Sequence, residues 1–294
     1  MLGRERVLEP PVRPEFERQT LDASNIGEIE RPLSVWERIT NVTLVRRLFI
    51  LAMIALAWEV YARWIDNPLM FPSFTEMLAS FWETTKRGEM LAYAWGSVRV
   101  LLMGYAVGVL CAVILTGLAV STRIGNDFLS TVTAMFNPLP AIALLPLAML
   151  WFGLGVPSLI FVLIHAVLWP LALNTHSGFM AVSETMRMVG ANVGLRGINY
   201  VVRVLIPAAF PSILTGLKIG WAFAWRTLIA AELVFGAGGG GGGLGWYIFQ
   251  SRNELLTSQV FAGLTAVIVI GLLVESVVFR AIEARTVRKW GMQR

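Results

Sequence analysis

From Phe128 to Ser183 the chain carries no Asp, Glu, Lys or Arg. Those 56 residues constrain the fold more than any other feature. A membrane-spanning helix needs about 20 mostly apolar residues. The run is therefore too long for one crossing and suits two, turned at "WFGLGVPS" (Trp151 to Ser158). Four more apolar stretches, Leu48 to Ile65, Tyr93 to Val120, Pro211 to Phe235 and Val260 to Arg280, bring the expected total to six transmembrane helices. The expected fold class is all-α integral membrane. Composition agrees: 15% of residues are charged, against about 25% in a soluble domain.

Six spans place both termini on one side, and Lys and Arg gather in cytoplasmic loops. Arg38, Arg46 and Arg47 precede the first span. Arg123 follows the second, Arg187, Arg196 and Arg203 follow the fourth, and Arg285, Arg288, Lys289 and Arg294 follow the sixth. The opposite loops balance Lys86, Arg87 and Arg252 with Glu76, Glu83, Glu89 and Glu254. Both termini are expected to be cytoplasmic. The net charge of +5 reads as this loop bias, not as a nucleic-acid footprint.

The expected organisation is a cytoplasmic arm over 1–45, a first transmembrane helix over 46–66 and a periplasmic segment over 67–92. A core of five transmembrane helices over 93–283 and a basic tail over 284–294 follow. The arm is charged and proline-spotted, without the apolar stretch of a signal peptide. Its "SVWE" (Ser34 to Glu37) reads as a capping box, opening an amphipathic helix through Trp36, Ile39 and Thr43 that suits a membrane surface. Cys111 is the one cysteine, so no intrachain disulfide forms. His165 and His176 have no clustered ligands beside them, and no metal site is expected. Gly104 with Gly108, and Gly216 with Gly220 and Ala224, form small-residue stripes that let spans pack closely.

Six glycines, Gly238 to Gly243, invite comparison with a phosphate loop. Such a loop is GxxxxGK[ST], with Lys on the phosphates. Here Leu244, Gly245 and Trp246 follow, and the chain contains no Gly-Lys dipeptide. The topology also puts the run outside, away from ATP. A flexible linker is one reading; a mobile outer loop carrying Gly238, Gly243 and Gly245 is the other.

The segment between spans four and five, "MAVSETMRMVGANVGLRGINYVVRVLIPAAFPSILTGLKIG" (Met180 to Gly220), forms two short helices with a turn between them. It resembles the EAA loop of ABC importer permeases: Glu-Ala-Ala, three residues, Gly, nine residues, Ile, one residue, Leu-Pro. Glu184 matches the Glu, Gly190 follows at the family spacing, and "VLIP" (Val204 to Pro207) stands where the family has Ile-x-Leu-Pro. "PAAFPSILTGLKIGWAFAWRTLIAAEL", "FPSFTEML", "NPLPAIALLPLAMLWFGLG" and "GLGWYIF" are similar to the nitrate/sulfonate/taurine branch. The resemblance runs from about Phe71 to Arg285. Thr185 and Met186 replace the Ala-Ala pair, and four extra residues separate Gly190 from Gly194, the glycine correctly spaced from Pro207.

The resemblance implies a type I importer permease with a coupling loop over 180–209. Glu184, Gly190, Ala191, Gly194 and Pro207 would meet the ATPase. The implied partners are an ABC ATPase dimer, a second permease subunit (a homodimer), a periplasmic substrate-binding protein and the bacterial inner membrane. No cofactor is expected on this chain, and no nucleic-acid partner. ATP and Mg would sit on the ATPase subunits. The implied solutes include nitrate, taurine and sulfonates.

Individual residues refine this. Arg226 lies about fifteen residues into span five, where a charge costs about 2.5 kcal/mol or more and must face protein or water. It either lines the pathway or pairs with an acid such as Glu232 or Glu275. Glu232 is six residues on, about 240° around the helix, so it is not an in-helix partner. Pro138, Pro140 and Pro146 would break the backbone ladder of span three, which lipid tolerates only against protein or a water-filled cavity. Pathway candidates are therefore Asn137, Pro140, Trp225, Arg226 and Glu232. Lys218 is expected to snorkel, Pro211 to occupy the first turn of its helix, and His165 to be a hydrogen-bonded packing residue. Gly190 also suits a helix C-cap.

Three other classes compete. A secondary transporter would show repeats and midplane carboxylates. A membrane enzyme would need a catalytic constellation, and none is visible. An ABC exporter would lack the EAA-like loop.

Overall fold

The computed structural model describes residues 37, 41–120, 122–235 and 242–289. Ser34 and Trp36 of the expected amphipathic helix, and Gly238 of the glycine run, lie outside these. The chain divides into two compact units, 1–54 and 55–294, with the boundary inside the first helix.

Every regular element among the described residues is helical. The long helices are α1 (Thr43–Ile65), α3 (Glu89–Val120), α6 (Val156–Met180), α9 (Ile206–Phe235) and α11 (Thr257–Leu273). Between them lie α2 (Phe74–Lys86), α4 (Arg123–Phe136), α5 (Leu145–Phe152), α7 (Glu184–Asn192), α8 (Gly197–Tyr200), α10 (Leu244–Asn253) and α12 (Arg280–Arg285). Wide π turns, Val201–Leu205 and Val274–Phe279, lead into α9 and out of α11.

Five helical stretches are long and apolar enough to cross a membrane. The expected third span is not one of them. It is a pair, Arg123–Phe136 and Ala141–Phe152, bent by 87°. Counting that pair as one crossing gives six. The break sits where Pro138 and Pro140 remove backbone donors and force extended neighbours. The turn expected at Trp151 to Ser158 is present: Gly153 has φ of 74°, a conformation open chiefly to glycine. Ser158 closes it by donating its hydroxyl to the carbonyls of Ala148 and Gly153.

Helix α6 is the centre, packed most extensively against α9 and α3. Small residues set those distances, as their spacing predicts. A Cβ on Gly104 would lie 2.6 Å from that of Leu163, and one on Gly108 would lie 2.8 Å from that of Val167. On α9, Gly216 rests on Asn174 and Leu171, and Ala224 is fully buried.

Helix α2 begins with a complete Ser73/Glu76 capping box. Glu59 of α1 accepts from the Thr75 N–H at 3.0 Å and pairs with Arg63 at 2.6 Å. The Trp58 indole donates to the Pro72 carbonyl.

Two expectations fail. Pro211 is interior to α9, because the helix starts at Ile206 and Pro207 takes the first-turn position. Lys218 does not simply snorkel; it pairs with Glu283 at 2.7 Å.

Candidate functional site

Three constructions bear on function. The first is a cavity of about 360 Å³ between the α4–α5 bend, α6 and α9. Asn137 and Pro140 of the bend, His165 and Trp169 of α6, and Arg226 and Thr227 of α9 line it. The proline break that ends α4 thus leaves Asn137 and Pro140 in its wall. The Arg226 Nε donates to the Ala222 carbonyl at 3.1 Å, and the guanidinium lies 5.4 Å from the centre of the Phe223 ring. Among the described residues no carboxylate pairs with Arg226, neither Glu232 nor Glu275. An unneutralised guanidinium inside a span must face water or an anion. His165 does not make the expected hydrogen bond. Among the described residues its Nε2, like the Trp169 indole N–H, has no protein partner, and both rings pack with Phe136.

Trp225 and Glu232 are not in this cavity. Trp225 is one residue, about 100°, from Arg226. It is buried, and its indole donates to the Val267 carbonyl of α11 at 3.2 Å.

The second construction explains Glu232. Its carboxyl is 4% exposed and accepts from the Ser97 hydroxyl at 2.8 Å and the Gly245 N–H at 2.9 Å. The same Ser97 oxygen accepts from the Leu244 N–H at 2.8 Å. One carboxyl and one hydroxyl therefore clamp the start of α10 onto α3 and α9. A side chain on Gly243 would overlap both Glu232 and Ser97. Gly243 and Gly245 are close-packing positions at the start of α10. Nearby, burial raises the Tyr247 phenol above its usual range, so it stays protonated at neutral pH. Ser97 is not legible as functional from sequence: a lone serine in an apolar run is usually packing. Arg99, two residues on, is a residue the sequence reading missed, although a charge within the apolar stretch Tyr93 to Val120 is a signal that could have found it.

The third construction is the element between α6 and α9. Ser183 caps α7, accepting from the Met186 N–H, and Glu184 is exposed in the first turn. Arg187 donates to the carbonyls of Phe179 and Val182, at 2.7 and 3.2 Å, and fastens α7 to the end of α6. Gly190 is not the C-cap. The helix ends at Gly194, with φ of 79°, through bonds from Gly194 N–H to Ala191 and from Leu195 N–H to Gly190. That is a Schellman ending. The extra residues after Gly190 thus extend α7 to a second glycine. Gly190 is buried instead against the Tyr200 ring and Val204, which an added Cβ would meet at 2.9 and 3.2 Å. Ala191 is exposed, and Pro207 lies beyond the π turn. Met188, Val189, Val193 and Ile198 are 52 to 81% exposed. This is an apolar surface with Glu184 on the same short hairpin.

Residues 104–289 match the family described as binding-protein-dependent transport system inner membrane component. The chain belongs to that family. The taurine transport system permease protein TauC of Escherichia coli is 29% identical to this permease over 224 residues, covering 74% of the chain and 80% of TauC. The nitrate import permease protein NrtB of Synechocystis is 26% identical over 253 residues, covering 84% and 90%. The putative aliphatic sulfonates transport permease protein SsuC of Escherichia coli is 27% identical over 224 residues, covering 76% and 83%. These relatives bear out the resemblance to importer permeases at the level of the family and its branch. The permease stands with the ABC importer permeases of the nitrate/sulfonate/taurine branch, and it is a multi-pass membrane protein.

Proposed function

We propose that this chain is the membrane subunit of an ATP-driven importer and forms the route for a small anion, such as nitrate, taurine or a sulfonate. The observation that carries the reading is Arg226, a guanidinium without an acid partner lining a cavity at a proline-broken span. Such a cation attracts an anion and is costly in any site that meets only lipid. The bent pair counts as the third of six spans, with both termini and the α7–α8 hairpin on the cytoplasmic side. The α10 end then faces the periplasm, where a binding protein delivers the solute.

The hairpin surface around Glu184 and Met188 docks on a separate ATPase dimer, which holds ATP and Mg. A second copy of the permease completes the route, in the bacterial inner membrane. The chain itself carries out no catalysis. Closure of the ATPases switches the spans between two packed states, a rigid-body transition.

The test is uptake by vesicles holding the permease with its partner subunits. Uptake should follow internal ATP, and Glu184→Lys should abolish it while leaving insertion intact. Uptake that follows an ion gradient without ATP, or full activity in Glu184→Lys, overturns the proposal.

A further inference from the structure

Arg99 is a further charged residue inside a span, used by none of the three constructions above. It lies ten residues after Glu89, about 15 Å along α3. Helix α3 has 32 residues, about 48 Å. Centred on a hydrocarbon layer of about 30 Å, it overhangs by about 9 Å at each end. The Arg99 Cα then sits about 6 Å beneath the hydrocarbon surface, within reach of the headgroups for a long side chain that snorkels.

The buried face of α3 carries Ser97, Leu101, Gly104 and Gly108. Arg99 lies on the other face with Trp95, Leu102 and Met103, all exposed. Among the described residues it has no ion pair. A cavity of about 630 Å³ lies beside it, lined also by Glu89, Tyr93, Trp95 and Gly96. The cavity therefore holds two opposite charges in a fixed order: Arg99 deeper, and Glu89 at the start of the helix.

We propose that this cavity seats the headgroup of a zwitterionic phospholipid with a free ammonium, its phosphate on Arg99 and its ammonium on Glu89. The phosphate of such a lipid adjoins the glycerol and the ammonium lies outermost, the same order as the two side chains. Trp95, one turn outward of Arg99, is the aromatic ring expected at a membrane interface. Leu102 and Met103 continue inward, at the depth of the acyl chains. A second copy of the chain fits less well. Glu275, the exposed acid of the last span, is eighteen residues beyond Thr257, about 27 Å deep, well below Arg99.

The full-length permease, purified in mild detergent, is titrated with phosphatidylethanolamine, phosphatidylcholine and phosphatidylglycerol, and bound lipid is counted by native mass spectrometry. Wild type should retain phosphatidylethanolamine best. Arg99→Gln should weaken retention of all three by about fivefold, the effect of one basic residue at a headgroup, and Arg99→Lys should restore most of it. Glu89→Gln should erase the preference for phosphatidylethanolamine over phosphatidylcholine; this variant carries the test if Arg99→Gln does not fold. Equal retention by wild type and Arg99→Gln overturns the proposal, as does a wild-type preference for phosphatidylglycerol. So does an Arg99→Gln variant whose lipid retention is normal but whose KM for the transported solute is changed, because the cavity then belongs to the solute.

Discussion

Replacing Gly245 with alanine tests whether α10 is clamped or merely adjacent. The added Cβ would lie 2.5 Å from the Cβ of Glu232 and 2.6 Å from the Ile229 carbonyl oxygen. Ordinary contact begins at 3.4 Å, so α10 must retreat by about 0.9 Å (3.4 minus 2.5). The bond from Gly245 N–H to Glu232, now 2.9 Å, would open beyond hydrogen-bond reach. Overpacking costs about 1–3 kcal/mol, and leaving a buried polar group unsatisfied costs about 1–3 kcal/mol more. The low sum, about 2 kcal/mol, corresponds to a fall of about 3 °C or more in the unfolding midpoint of a chain of 294 residues. The assay is graded heating of the purified permease followed by size-exclusion chromatography of what remains folded. Gly271→Ala is the control, because its added methyl lies 3.7 Å from its nearest neighbour, the Trp225 indole nitrogen, in ordinary contact. If Gly245→Ala melts with Gly271→Ala and wild type, the carboxyl and hydroxyl do not hold α10, and the clamp is refuted.

Arg226→Gln should lower ATP-driven uptake of an anionic solute about tenfold or more, since a hydrogen bond to a charged group is worth about 1.5–3 kcal/mol; unchanged uptake removes Arg226 from the route. Gly190→Ala should push Tyr200 away from α7 and uncouple ATP hydrolysis from transport, seen as uptake falling more than ATPase activity; equal falls in both would count against a coupling role.

Much of the fold was legible because lipid imposes simple rules on sequence. The long charge-free run, the glycine stripes and the Trp151–Ser158 turn each follow from one local constraint, and the structure repeats them. The 87° bend was half legible: prolines announce a broken ladder, but not the angle or the neighbours that accept it. The site was less legible where pairing over long sequence distance decides a side chain's role. Glu232 reads as a pathway acid until Ser97, 135 residues away, closes on it. Lys218 reads as a free cation until Glu283 appears beside it. Gly190 reads as a cap because the Schellman ending at Gly194 depends on residues that sequence spacing alone places no better at one glycine than the other.

The fastening at Arg187 and the nest at Gly190 make the α7–α8 hairpin a transmission with two outputs. Arg187 ties α7 to the last carbonyls of α6, while Gly190 seats it on Tyr200, which leads through the π turn into α9. Both helices contribute walls to the Arg226 cavity. A push delivered to one short helix is therefore handed to both of the helices that line the cavity.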